Sequence, residues 1–303
     1  MSNPAAARNA FIATGNATAG FLPVCLNYLA KLPRPLAISF TFRPMLFFRN
    51  FLLTALSAST LSVTACNGPA ETATAPAALA ATPAAAAAFD HSAFDRLLKK
   101  YVDARGRVNY KGFRSEEKDF DAYLARLSQN PPKATDAQAE QMAFWINAYN
   151  AYTIRLILDN YPLKSIKDIG EPWKKVFFSI GGTKMSLDDI EHGILRKKFD
   201  DPRIHFALVC ASISCPPLRP EAYTAARLSA QLDAQGRAFL NDTGKNKLNA
   251  QSAQLSNYFN WYKDDWNKNG QSVVKWVNKY AKTNISDNTK IGYLDYNWNL
   301  NEQ

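Results

Sequence analysis

The chain of 303 residues holds three histidines and four cysteines, and one of those histidines and two of those cysteines fall in a single stretch, RIHFALVCASISCPPLRP, from Arg203 to Pro220. A thiolate is a strong nucleophile and metal ligand, and an imidazole is the side chain best placed to take a proton near neutral pH. Three chemistries are open to such a set. In the first, Cys210 is a nucleophile in a thiol-dependent hydrolase or transferase. His192 or His205 is then its base, and Asn147 or Asn150 orients a catalytic group or donates to an oxyanion. In the second, His205, Cys210, Cys215 and His192 hold a metal; H-x4-C-x4-C fits no common zinc spacing, so no metal and no cofactor is expected. In the third, Cys210 and Cys215 close a disulfide, the histidines are satisfied core groups, and the domain is a binding or scaffolding module. The third is the primary reading.

The elements that must position these side chains can be sketched from periodicity. Ile204 to Val209 alternates and is apolar on both faces, which predicts a strand covered on both sides and ended by Pro216 and Pro217. On a regular strand His205 and Cys210, five residues apart, face opposite ways. A long helix follows a capping-box pattern at Thr135 and Gln138 and runs to about Asn160, before Pro162. Nearly all its faces are apolar, so it should be buried at the centre of the fold. Asn147 and Asn150, three apart, point the same way from it, and a buried amide must find hydrogen-bond partners. Either they tie down a neighbouring segment or they serve the site.

Further helices are predicted over Phe89–Val102, residues 115–128, Leu187–Lys198, Tyr223–Leu240, Tyr258–Trp266 and Val273–Tyr280. The Leu187 helix follows a cap at Ser186 and Asp189 and carries Glu191 beside a partly buried His192. Strands are predicted near Val102 and Val108–Tyr110, in a hairpin turning at Gly181-Gly182 and within Lys247–Leu255, and the final IGYLDYNWNLN reads as a last strand or an extended tail. The fold class is α+β: a single, mostly helical domain with a small sheet and a buried central helix. His91, at the domain's start, is expected to be exposed. Trp261, Tyr262 and Trp266 read as a packed helix face or the lining of a ligand groove.

Ahead of the domain the sequence changes character. Residues 45–65 read as a signal peptide, with Arg49 before an apolar run from Phe51 to Val63. Val63-Thr64-Ala65-Cys66 resembles the lipobox of bacterial lipoproteins. That resemblance implies cleavage before Cys66, a lipid anchor on it, and residence in the bacterial cell envelope. Asn67, rather than Asp, favours the periplasmic face of the outer membrane. Residues 1–44 read as an upstream extension outside the working protein, and residues 66–88 as the anchor and an Ala/Pro/Thr tether. The formal charge of +10 overstates the basicity. Five of the 36 Lys and Arg precede Cys66 and no Asp or Glu does, so the remainder carries 31 basic and 26 acidic groups, a net of +5. Those charges are interspersed, which argues against a nucleic-acid partner and leaves the membrane and an unknown envelope partner or substrate.

Four ordered blocks, FWINAYNA (144–151), SLDDIEHGILR (186–196), DPRIHFALVCASISCPPLR (201–219) and YNWNLN (296–301), resemble the domain of unknown function 547 family over residues 89–303. The resemblance places Asn147, Asn150, Glu191, His192, His205 and Cys210 in motif positions and carries no reaction with it.

Overall fold

The computed structural model describes residues 88–249 and 251–303. The signal segment 45–65, Cys66 and nearly all of the tether lie outside the described residues. At the centre is α4 (Gln138–Asn160), buried at seventeen of its 23 positions. Ile146, Leu156, Ile157 and Leu158 are each no more than 1 % exposed. Sequestering an aliphatic side chain so fully contributes about 1.5–3 kcal/mol, so this helix is the main apolar anchor of the fold. Arg155, one of its three charged residues with Glu140 and Asp159, pairs with Glu117, Asp121 and Asp159 at 2.7, 3.1 and 2.8 Å. The predicted capping box at Thr135 and Gln138 does not form. The N-cap is Ala137, with no side-chain cap, and the helix is fixed by burial instead.

Helices α1 (Ser92–Tyr101), α2 (Tyr110–Arg114) and α3 (Glu117–Gln129) pack on one side of α4. Their inward stripes are apolar, with Phe94, Phe113, Phe120 and Leu127 fully buried. The strand expected around Val102 and Val108 is reduced to a single antiparallel bridge between those residues, and Tyr110 already belongs to α2. His91 is buried, not exposed. Its Nδ1 lies 2.7 Å from the Tyr123 hydroxyl and its ring 4.7 Å from that of Phe89.

The hairpin β1 (Phe178–Ile180) and β2 (Thr183–Met185) forms as predicted. Gly181 and Gly182 have φ of 61° and 78°, the left-handed pair a type I′ turn demands. Ser186 and Asp189 cap each other reciprocally, at 2.8 and 3.2 Å to each other's backbone N–H. The helix they start is wound as a π-helix over Asp189–Leu195 before the single turn α5 (Arg196–Lys198). Then comes the main departure from expectation. Ile204–Ala207 is a helical turn, α6, not a strand. The backbone N–H groups of Ile204 and His205 bond to the carbonyls of Asp201 and Pro202, so Asp-Pro acts as a helix start. A short apolar run cannot by itself separate a buried strand from a buried helical turn.

Helix α7 (Leu228–Leu240) follows a 3₁₀ turn at Ala225–Arg227. A three-stranded sheet comprises β3 (Lys247–Leu248), β4 (Ser252–Leu255) and β5 (Lys290–Tyr293), with β4 antiparallel to β3 and parallel to β5. Between β4 and β5 lie α8 (Tyr258–Trp261), α9 (Lys263–Trp266) and α10 (Val273–Tyr280); the helix predicted over Tyr258–Trp266 is broken at Tyr262. Residues 294–303 run back across the molecule. Their backbone bonds to Ile213, Lys164, Ala211 and Val108 in turn.

Candidate functional site

The segment that carries the thiols is bracketed by the two central asparagines. Asn150 donates to the Ala207 carbonyl at 2.9 Å and accepts from the Val209 N–H at 3.0 Å. Asn147 donates to the Tyr223 carbonyl at 2.8 Å and accepts from the Tyr223 N–H at 2.9 Å. Each amide thus spends both ends on backbone, one at the entry and one at the exit of the loop. Of the two roles the sequence left open, the structure shows the first: each amide commits its oxygen and one of its two N–H donors to a neighbouring backbone segment. The signal was the pair's shared helix face.

Within the loop Ala211 has φ of 56°, a left-handed conformation that costs a residue with a Cβ roughly 1–2 kcal/mol. It is held there by the Asn301 N–H, which bonds to its carbonyl at 3.0 Å. The bend folds Ser212 back, so that its hydroxyl lies 3.0 Å from the Cys210 sulfur. The Tyr296 hydroxyl lies 3.1 Å from the same sulfur, and that of Tyr258 3.7 Å. Cys215 Sγ lies 2.7 Å from Cys210 Sγ, accepts from the Cys210 N–H at 2.7 Å, and meets the Tyr258 hydroxyl at 3.1 Å. Both cysteines are unbonded and buried. Burial pushes the Cys210 thiol up, but the hydrogen bonds from Cys215, Ser212, Tyr296 and Tyr258 outweigh it and bring it to about 7. Burial pushes the Cys215 thiol well above its ordinary value, and the neighbouring Cys210 adds to that.

No histidine is among the hydrogen-bond partners of Cys210. His205 is 1 % exposed. Its Nε2 lies 2.8 Å from Asp265 Oδ2, and its ring stacks on Tyr262 at 3.8 Å. Burial lowers its pKa despite the carboxylate. Burial also pushes the Asp265 carboxyl up, yet His205, Arg196 and Lys268 together hold it far below the usual range. His205 therefore serves as a core link from α6 to α9. His192 is exposed rather than partly buried, between Asp188 at 3.7 Å and the Arg196 guanidinium at 3.0 Å. Among the described residues no cluster of three or more His, Cys, Asp or Glu side chains could hold a metal ion.

Cys210 forms part of the floor of an open cavity of about 560 Å³. Tyr149, Trp173, Tyr258, Trp261, Tyr262 and Trp298 supply its aromatic walls. Glu191 and His192, successive residues of the π-helix, both line it. Glu191 is 4 % exposed, and the Tyr262 hydroxyl donates to its Oε1 at 2.6 Å. No Lys, Arg or His nitrogen lies within ion-pairing distance of it among the described residues, whereas the nearby Asp188 and Glu171 face His192 and Lys174. Trp261 and Tyr262 line the groove that the sequence left as an option, while Trp266 is fully buried as core. Sequence reasoning missed Tyr258, Tyr296 and Ser212 as partners of the thiols. The alternation of Tyr296 and Trp298 was the available signal for the first side of that cover.

The fold and the site define a mostly helical α+β domain with a paired-thiol loop beneath an aromatic cavity. Residues 132–240 match the family model described as Protein of unknown function, DUF547. The match runs from just ahead of α4 to the end of α7. It takes in both asparagines, Glu191, His192, His205 and both thiols, and leaves Tyr258, Tyr262 and Tyr296 outside. No curated protein and no solved structure matches the chain.

Proposed function

We propose that this is a ligand-binding module of the bacterial cell envelope, anchored by lipid on Cys66, whose cavity takes a small organic cation. One observation carries the ligand class: the Glu191 carboxylate, nearly sealed from solvent, lines the aromatic cavity with no cation of the described residues within ion-pairing distance, although Lys167 and Lys174 line the same cavity. An unpaired buried carboxylate is costly, and a cation entering between aromatic faces offsets that cost while gaining cation–π attraction. When oxidised, as the redox state of the envelope permits, the Cys210–Cys215 pair braces the cavity floor as a disulfide. The anchor rests on the signal-like run to Val63 and the lipobox-like Val63-Thr64-Ala65-Cys66. Its check is fractionation: Cys66→Ser should move the protein from the membrane to the soluble envelope fraction.

A thiol hydrolase with Cys210 as nucleophile draws support from the lowered thiol and its access to the cavity. It lacks a base, since His205 is turned onto Asp265 and His192 onto Asp188. The binding reading is tested by titrating tryptophan fluorescence with benzylammonium and, in parallel, neutral benzyl alcohol. The wild type should favour the cation by about tenfold, some 1.4 kcal/mol. Glu191→Gln should abolish the preference. Equal binding of the two probes by the wild type sinks the reading.

A further inference from the structure

We propose that Cys210 and Cys215 are an exchange dithiol that reduces a small organic disulfide bound in the aromatic cavity. The proposal rests on the reading of that cavity as a ligand site and adds a reaction to it. Three geometric facts support it. The two sulfurs lie 2.7 Å apart, so a small movement closes the bond of about 2.05 Å that joins a disulfide. The pair is sided: Cys210 lines the cavity, whereas Cys215, 1 % exposed, does not, and borders instead the separate groove of Arg105, Arg107 and Lys245. Thiol–disulfide exchange passes through three sulfurs in a row, the attacking and leaving groups on opposite sides of the central one. A ligand sulfur arriving from the cavity meets Cys210 with Cys215 behind it, as that order requires. Finally, the Cys210 N–H donates to the Cys215 sulfur and the Tyr258 hydroxyl lies 3.1 Å from it, so the thiolate that Cys215 must form before the second step has polar partners in place.

The thiols are also unequal in the useful sense. The exposed-side Cys210 is brought to about 7 by its hydrogen bonds, near the optimum for an attacking thiol at neutral pH, while Cys215 is held protonated until needed. In the first step the Cys210 thiolate attacks one sulfur of R–S–S–R′. The ligand S–S bond breaks, and R′S⁻ leaves with the electron pair and takes a proton from water. In the second step Cys215 gives up its proton to the hydroxide left when R′S⁻ was protonated and attacks the Cys210 sulfur. The bond from Cys210 to RS breaks, RS⁻ leaves and is protonated, and Cys210–Cys215 forms. One disulfide has become two thiols, and the protein dithiol has lost two electrons. The oxidised pair runs the same steps backwards on a dithiol. Glu191 selects disulfides that carry a positive group.

The test uses the reduced full-length chain, cystamine as a cationic disulfide probe, acid quenching, and peptide-resolved mass spectrometry. Wild type should end with Cys210 and Cys215 joined and no lasting adduct. Cys215→Ser should accumulate a cysteamine adduct on Cys210, with Cys215→Ala as the second trap if a buried serine prevents folding. Cys210→Ser should react at Cys215 at least about tenfold more slowly, because that thiol is buried and protonated. Failure of both folded traps to carry an adduct on Cys210 overturns the proposal. So does reaction of Cys210→Ser as fast as wild type. If Cys210 exchanges but Glu191→Gln reacts with cystamine as fast as wild type, the exchange stands and the cation reading falls. If benzylammonium binds as expected while Cys210 forms no adduct, the binding module stands and the exchange is lost.

Discussion

Asn150→Ala should cost the domain about 4 kcal/mol. The amide of Asn150 is the partner of both the Ala207 carbonyl and the Val209 N–H, at 2.9 and 3.0 Å, on a segment that is buried on every side. Truncation leaves a donor and an acceptor without partners, each at about 1–3 kcal/mol, in a site too closed for water to replace the amide. For a domain of this size the melting temperature should fall by about 8–16 °C. Asn150→Asp separates the two bonds. The carboxylate still accepts from Val209 but meets the Ala207 carbonyl with like charge, so at neutral pH it should be at least as damaging as alanine. Protonation restores a donor, so part of the loss should return as the pH is lowered. Urea denaturation followed by tryptophan fluorescence reads both variants. A loss below about 1 kcal/mol for Asn150→Ala would refute the view that this amide holds the thiol loop.

Two other perturbations probe the same frame. Burial pushes His91 from 6.5 down to about 4, so between those values the unfolded chain binds a proton that the folded one does not. Its contribution is intact above the unfolded value and is lost as the pH falls through that window, by up to roughly 3 kcal/mol, so His91→Gln should show a correspondingly shallower loss of stability between pH 7 and 4 in paired urea titrations. Gly106 has φ of 74°, and a Cβ there would lie 2.5 Å from the Leu218 nitrogen, whereas Gly182, at 78°, has open space around it. Gly106→Ala should therefore lower the urea midpoint well beyond the roughly 1–2 kcal/mol of backbone strain that Gly182→Ala suffers alone; equal losses would show that the turn does not press on the Pro216-Pro217 segment.

Much of the frame was legible because it is local. The apolar circumference of α4 announced its burial, and Gly181-Gly182 announced the hairpin. The paired orientation of Asn147 and Asn150 followed from their spacing. What misled was brevity: Ile204–Val209 is as apolar as a covered strand, and only Asp201-Pro202 ahead of it marks a helical start. What was hidden was long-range. Tyr258 and Tyr296 reach the thiols from 48 and 86 residues away, and no periodicity connects positions so distant. Glu191 and His192 line one cavity from adjacent positions on a π-wound helix, a winding that a 3.6-residue period does not show.

The run of residues 294–303 across the molecule imposes an order in time. Synthesis proceeds from the N-terminal side, so Cys210 and Cys215 emerge 86 and 81 residues before Tyr296. Throughout that interval neither the Tyr296 hydroxyl nor the Asn301 N–H that holds Ala211 is present. The folding chain therefore presents these thiols first as uncovered groups on a loop held by Asn147 and Asn150, with Asp95 and Gln235 bonding to its Ala222 and Pro217 backbone. Whether they enter the finished protein paired or free is decided by whatever oxidant or reductant reaches them before the last segment docks. Slowing that docking, for example with Tyr296→Gly, lengthens the window in which the two thiols stand uncovered.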